Sequence, residues 1–79
     1  MDDVPDLTDT ESAVLRAVHA EGSPDLYALA QMVGTGPRTV QEAVRRLARK
    51  DLVIVSDRGS TVHCTPDGEE VARAERRDR

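Results

Sequence analysis

The sequence has few aromatic residues, few cysteines and no long apolar run. Tyr27 is its one aromatic residue, and Cys64 is its one cysteine. A single cysteine excludes an intramolecular disulfide and a zinc site built from cysteine pairs. No apolar run approaches the roughly 18 residues that a membrane span needs. We therefore expect a cytoplasmic protein without membrane contact, whose one small core is built from aliphatic side chains.

Positive charge is scarce overall but is concentrated in one segment. The 15 acidic residues outnumber the 11 basic ones, and the formal net charge of −4 disfavours nucleic acid binding by itself. Residues 1–25 contain seven acidic residues and one arginine, whereas residues 36–50 contain five basic residues and one glutamate. Residues 1–6 are expected to form a disordered acidic N-terminus, and residues 7–79 a domain whose charged C-terminal tail frays.

The first part of the domain contains start and stop signals for two helices. Thr8 followed by Glu11 predicts a capping box at the start of the first helix, and Gly22 predicts its end. Ser23 is predicted to cap the second helix, with Pro24 in its first turn, where a missing N–H has no cost.

A third helix is predicted over residues 37–50. Its apolar residues repeat at positions 0, 3, 4 and 7, the spacing of one helix face. They are Val40, Ala43, Val44 and Leu47. Gly34 and Gly36 separate this helix from the second one. Two helices joined by a short glycine-containing turn are typical of a helix-turn-helix motif.

Two β-branched runs after the third helix predict a hairpin over residues 53–64. With its turn at Arg58, Ile54 pairs with His63 on one face, while the opposite face carries two pairs that point toward the core. These two pairs are Val53 with Cys64 and Val55 with Val62. A short C-terminal helix with few apolar residues is expected to begin near Thr65.

One face of the third helix is cationic and rich in hydrogen-bonding groups. At about 100° per residue, the side opposite its apolar residues carries Arg38, Gln41, Glu42, Arg45 and Arg49. In a DNA major groove, arginine pairs with guanine and glutamine with adenine, and arginines farther along reach phosphates. Glu42 would accept from a cytosine amino group or hold Arg38 or Arg45 in an ion pair. A solvated face without a partner is the alternative interpretation.

Three stretches together resemble winged helix-turn-helix proteins, in particular MarR-like and PadR-like transcriptional regulators. They are LTDTESAVL, LYALAQMVGTGPRTVQEAVRRLARKDLV and CTPDGEEVARA. The resemblance runs from Leu7 to Ala74 and implies a mainly α-helical domain with three helices, a two-stranded wing and a short C-terminal helix. It implies that helix 37–50 reads the major groove of double-stranded DNA, and that wing 53–64 contacts the backbone or the minor groove. The DNA-binding residues it implies are Arg38, Thr39, Gln41, Glu42, Arg45, Arg49 and, at the wing tip, Arg58.

The remaining chemically active residues do not form a second functional pattern. His19, His63 and Cys64 lack the paired spacing of metal ligands, so we expect no metal site, and Cys64 is interpreted as a small core residue. The serines occupy cap and turn positions and no glycine-rich phosphate loop is present, so we expect neither an enzyme nor a cofactor. Tyr27 lies beside the apolar face of the second helix, which favours packing over stacking on a sugar or base.

These observations lead to the interpretation of the chain as a small transcriptional repressor that binds a two-fold DNA site as a homodimer. The net charge of −4 and the single basic residue at the wing turn support an alternative. In that alternative, the winged helix contacts another protein as a subunit or adaptor. A further alternative is an architectural module that binds nucleic acid without sequence preference.

Overall fold

The computed structural model describes residues 7–56 and 61–77, and the side chains up to residue 74. Its elements are α1 (Asp9–Glu21), α2 (Leu26–Val33), α3 (Pro37–Arg49), β1 (Val53–Ser56), β2 (Thr61–Cys64) and α4 (Pro66–Arg77). Helices predominate, and β1 and β2 form an antiparallel hairpin. The predicted winged helix architecture is confirmed. The acidic segment 1–6 and the predicted wing-tip residue Arg58 lie outside the described residues.

The start of α1 has the predicted capping box. The Glu11 N–H donates to the Thr8 hydroxyl oxygen at 3.1 Å, and the Thr8 N–H donates to the Glu11 carboxylate at 3.2 Å. These bonds satisfy two backbone donors that the first turn of a helix leaves without a partner. Gly22 ends α1 with a φ of 97°, a conformation that glycine adopts without strain.

The start of α2 differs from the prediction. Asp25 caps this helix, and its carboxylate accepts a hydrogen bond from the Ala28 N–H at 2.7 Å, whereas Ser23 and Pro24 precede the cap. The carbonyl of Pro24 accepts from the Val62 N–H at 3.0 Å, and Asp25 forms a β-bridge to the first residue of β2. The predicted cap at Ser23 was wrong because this segment pairs with the wing and stays extended up to Asp25.

The core is aliphatic, as the composition predicts. Helices α1, α2 and α3 each turn one face toward it, and the wing and α4 close the remaining side. Its buried members are Val14, Leu15, Val18, Leu29, Ala30, Val40, Ala43, Val44, Leu47, Leu52, Val53, Val62 and Ala72. Tyr27 is 75% exposed, so the prediction that it packs was wrong. Leu29 and Ala30 form the buried face of α2, and Tyr27 lies on another side of the helix.

The wing has the predicted register. The pairs are Val53 with Cys64, Ile54 with His63 and Val55 with Val62. Val53 and Val62 are buried and Cys64 packs against the core, but Val55 is 39% exposed although it shares their face. Val53 of the same strand is buried, so the exposure of Val55 reflects its position two residues farther from α3 along β1.

Thr65 and Gly68 join the start of α4 to the corner between α3 and the wing. The Thr65 hydroxyl donates to the Asp51 carbonyl at 2.7 Å, and the same oxygen accepts from the Gly68 N–H at 2.9 Å. A side chain at Gly68 would overlap the Leu52 carbonyl, so only glycine permits this close approach of α4. The sequence predicts a helix near this position, but it does not reveal the contact with the corner.

Candidate nucleic-acid interface

The outer face of α3 carries the described members of the predicted DNA-binding set. The helix buries its aliphatic residues in the core, and this burial fixes its rotation about its axis. These buried residues are Val40, Ala43, Val44 and Leu47. The predicted residues on the helix are all exposed, namely Arg38, Thr39, Gln41, Glu42, Arg45 and Arg49. The structure therefore brings these six side chains to one continuous surface, which we call the α3 outer face.

Arg46 is a further exposed residue of the α3 outer face, and the sequence reasoning missed it. It lies with Arg38, Thr39 and Glu42 along an open groove of about 320 Å³ between α3 and the start of α1. Helical periodicity places Arg46 only about 70° from the middle of the face opposite the apolar residues. If the predicted face had been taken to extend about 70° to each side of its middle, the sequence alone would have included Arg46.

Lys50 is paired with α1 and differs in this respect from the arginines of the same segment. Its Nζ lies 3.3 Å from Glu11 Oε1, and the Glu11 side chain is only 4% exposed. The same Glu11 oxygen accepts the capping-box hydrogen bond from the Thr8 N–H. One buried carboxylate thus connects the start of α1 to the end of α3, and the positive charge of Lys50 is balanced inside the domain.

Glu42 is the one acidic residue in the segment 36–50. Its carboxylate makes no ion pair or hydrogen bond with another residue that the structure describes. Within this part of the chain, Glu42 is therefore not the ion-pair partner of Arg38 or Arg45. It stands as an exposed negative charge among arginines that are also exposed.

The start of α3 has no side-chain cap. Gly36 occupies the cap position and Pro37 the first helical position, and no side chain accepts a hydrogen bond from the first turn. The N–H groups of Arg38 and Thr39 therefore point out of the helix end toward solvent. Such groups, together with the positive end of the helix dipole, are typical of positions where a helix receives a phosphate.

The remaining candidates from the sequence do not extend this site. Burial raises the pKa of the Cys64 thiol to about 11, with the charge of Glu69 as a smaller cause, so the thiol stays protonated at neutral pH. Among the residues with described side chains, no group of three His, Cys, Asp or Glu side chains is placed to hold a metal ion. None of the described helices is both long enough and apolar enough to cross a membrane.

The chain is similar to solved structures of transcriptional regulators. ZitR of Lactococcus lactis matches at 22% identity over 98% of this chain, with a TM-score of 0.86. BpsR of Bordetella bronchiseptica matches at 30% identity over 86% of it (TM-score 0.79), and the MarR family transcriptional regulator SPO1453 of Silicibacter pomeroyi at 23% over 82% (TM-score 0.74). This chain covers 55%, 52% and 48% of those three chains, about half of each. No protein-family model and no curated protein matches the sequence.

These similarities confirm the predicted resemblance at the level of the fold. The class that the fold defines is the winged helix domain, with a mainly helical core and one hairpin. Within this class, the arrangement of the elements is MarR-like. SPO1453 is described as a transcriptional regulator, and the description of BpsR refers to the regulation of its DNA binding.

The double role of Glu11 leads to a prediction about stability. Glu11→Ala removes the carboxylate that accepts from the Thr8 N–H and pairs with Lys50, so we expect a loss of about 1–3 kcal/mol in the free energy of unfolding. Glu11→Gln keeps an acceptor for the Thr8 N–H and loses only the charge pairing, so its loss is expected to be below about 1 kcal/mol. Urea unfolding, monitored by circular dichroism, measures the free energy of unfolding of both variants and of the parent. Equal losses for the two variants would contradict a contribution from the capping box.

Proposed function

We propose that this domain binds specific sites on double-stranded DNA through α3 and thereby regulates transcription. The observation that carries the proposal is the α3 outer face, where arginines, Gln41 and Glu42 are exposed on a helix held by its buried opposite side. A helix fits the B-DNA major groove, and arginine and glutamine match the hydrogen-bonding edges of guanine and adenine. The description of BpsR, the solved protein at 30% identity, refers to its DNA binding, which supports the same role here.

The two halves of α3 have different roles in this proposal. The first half contains Arg38, Gln41 and Glu42, and in helix-turn-helix proteins the first residues of the recognition helix contact base edges. Thr39 lies beside them, and its N–H group and that of Arg38 receive a phosphate. The second half provides phosphate contacts through Arg45, Arg46 and Arg49. Arg58, which the sequence predicts at the wing tip, is proposed to contact the DNA backbone or the minor groove.

A second candidate function is contact with another protein, as a subunit or adaptor. The net charge of −4 and several exposed apolar side chains favour it. These side chains are Tyr27 at 75%, Ile54 at 49%, Met32 at 44% and Val55 at 39% exposure. The two candidate functions differ in their dependence on salt, because only the first requires arginines to replace the counterions of phosphates.

The proposal includes a division between residues that read sequence and residues that bind any DNA. Arg38→Ala and Gln41→Ala are each expected to cost about 1–3 kcal/mol on the preferred site and to relax the base preference at one position. Arg49→Ala is expected to weaken binding to all sequences alike, and it serves as the matched control. Selection from a random duplex library measures the preferences. Unchanged preferences in the first two variants would show that these side chains do not read bases.

Salt dependence tests the proposed phosphate contacts. Lys50 is paired with Glu11, and Arg38 is assigned to base edges. The proposed phosphate contacts are therefore four arginines, namely Arg45, Arg46 and Arg49 of α3 and Arg58 of the wing. About four contacts give a slope near −3.6 for log affinity against log salt, which is a loss on the order of a hundredfold between 50 and 200 mM. Titration of fluorescent duplex DNA measures this slope. The absence of a DNA complex at 50 mM salt would favour the protein-contact function.

We propose that the protein acts as a homodimer and as a repressor. A single module buries only about 600–1,000 Å² of its surface on DNA, which is small for a specific site, and a dimer doubles this area on a two-fold operator. Helices α1 and α4 pack together and lie outside the α3 outer face, so they are the expected dimer surfaces. Sedimentation equilibrium is expected to give twice the monomer mass. A monomer both in solution and on a half-site would exclude the dimer.

A further inference from the structure

We propose that Glu42 determines specificity by selecting a cytosine in the DNA site and by weakening binding to sequences that lack it there. This inference rests on the proposed DNA-binding function and assigns to one residue a base preference that the arginines of α3 do not supply. It depends on three observations: the position of Glu42, the absence of a partner for it among the described residues, and the chemistry of the groove edges.

Glu42 lies in the middle of the α3 outer face. Arg38 precedes it by one helical turn, and Arg45 and Arg46 follow it by one turn. It borders two grooves between α3 and the start of α1. The nearby carboxylate of Glu11 is paired with Lys50, whereas that of Glu42 bonds to no other described residue. The negative charge of Glu42 is therefore available to a ligand on this face.

An exposed carboxylate at this position weakens binding to DNA in general. When the neighbouring arginines turn to phosphates, they leave Glu42 facing a polyanion, which repels it. The repulsion acts on every sequence alike. It is offset only where the DNA offers a hydrogen-bond donor to the carboxylate.

The major groove offers such donors on two bases. Guanine presents the acceptors N7 and O6 and thymine the acceptor O4, so both repel a carboxylate. Cytosine presents its N4 amino group, and adenine presents N6 beside the acceptor N7. A carboxylate has only acceptors, so it fits cytosine, whereas an amide, which has a donor and an acceptor, fits adenine. Glu42 therefore favours cytosine, and a glutamine at the same position would favour adenine.

The test is selection from a random double-stranded DNA library with the full chain and three variants at one fixed salt concentration. Glu42→Ala is expected to lose the preference for cytosine at one position only and to bind unrelated DNA more tightly than the parent. Glu42→Gln is expected to change that preference from cytosine to adenine. Replacement of the selected cytosine is expected to weaken the parent about 5- to 150-fold and Glu42→Ala much less.

Glu21→Gln is the matched control, because it removes the same charge from an exposed residue about 15 Å along α1 from Glu11. It is expected to leave every preference unchanged. If the parent selects a site but Glu42→Ala keeps all its preferences, the role of Glu42 is overturned while the DNA-binding function stands. An equal gain in affinity for all sequences in Glu42→Ala and Glu21→Gln would also overturn it, because net charge alone would then explain the gain. If the parent binds no DNA, both proposals fail.

Discussion

The burial of one aliphatic face of α3 is the constraint on which the rest of the surface depends. Val40, Val44 and Leu47 pack against neighbouring elements in a core without aromatic side chains. Burial of each such side chain contributes about 1.5–3 kcal/mol, whereas an unpaired arginine in the core would cost far more. Any other rotation of α3 would bury positive charge and expose valine or leucine. The cationic outer face is therefore held in place by hydrophobic packing behind it.

Segregation of charge gives α3 a positive outer face in a chain whose formal net charge is −4. The acidic residues precede α2 or follow the wing for the most part, and Lys50 is neutralised by Glu11. A ligand with many negative charges is therefore attracted to α3 more strongly than to the acidic segments of the chain, which restricts the orientations in which it can bind. The similarity to solved regulators covers about half of their chains.

Much of the fold and most of the candidate site could be predicted from the sequence, because the signals are local. The capping box of Thr8 and Glu11 depends on residues within one turn, and the limits of α3 follow from glycine, proline and a regular apolar spacing. The register of the wing follows from alternation about its turn. Exposure of the α3 outer face follows from helical periodicity once the apolar side is taken as buried.

Only the tertiary structure decided the features that join residues distant in sequence. The pairing of Pro24 with the wing moved the cap of α2 from Ser23 to Asp25, and packing left Tyr27 exposed. The tertiary structure also decided two contacts between distant residues, namely Lys50 with Glu11 at the end of α3 and Gly68 with Leu52 at the start of α4. Propensity and periodicity act within a few residues, so they define helices, strands and their faces. Which faces and ends meet depends on how the elements pack, and no local pattern contains that information.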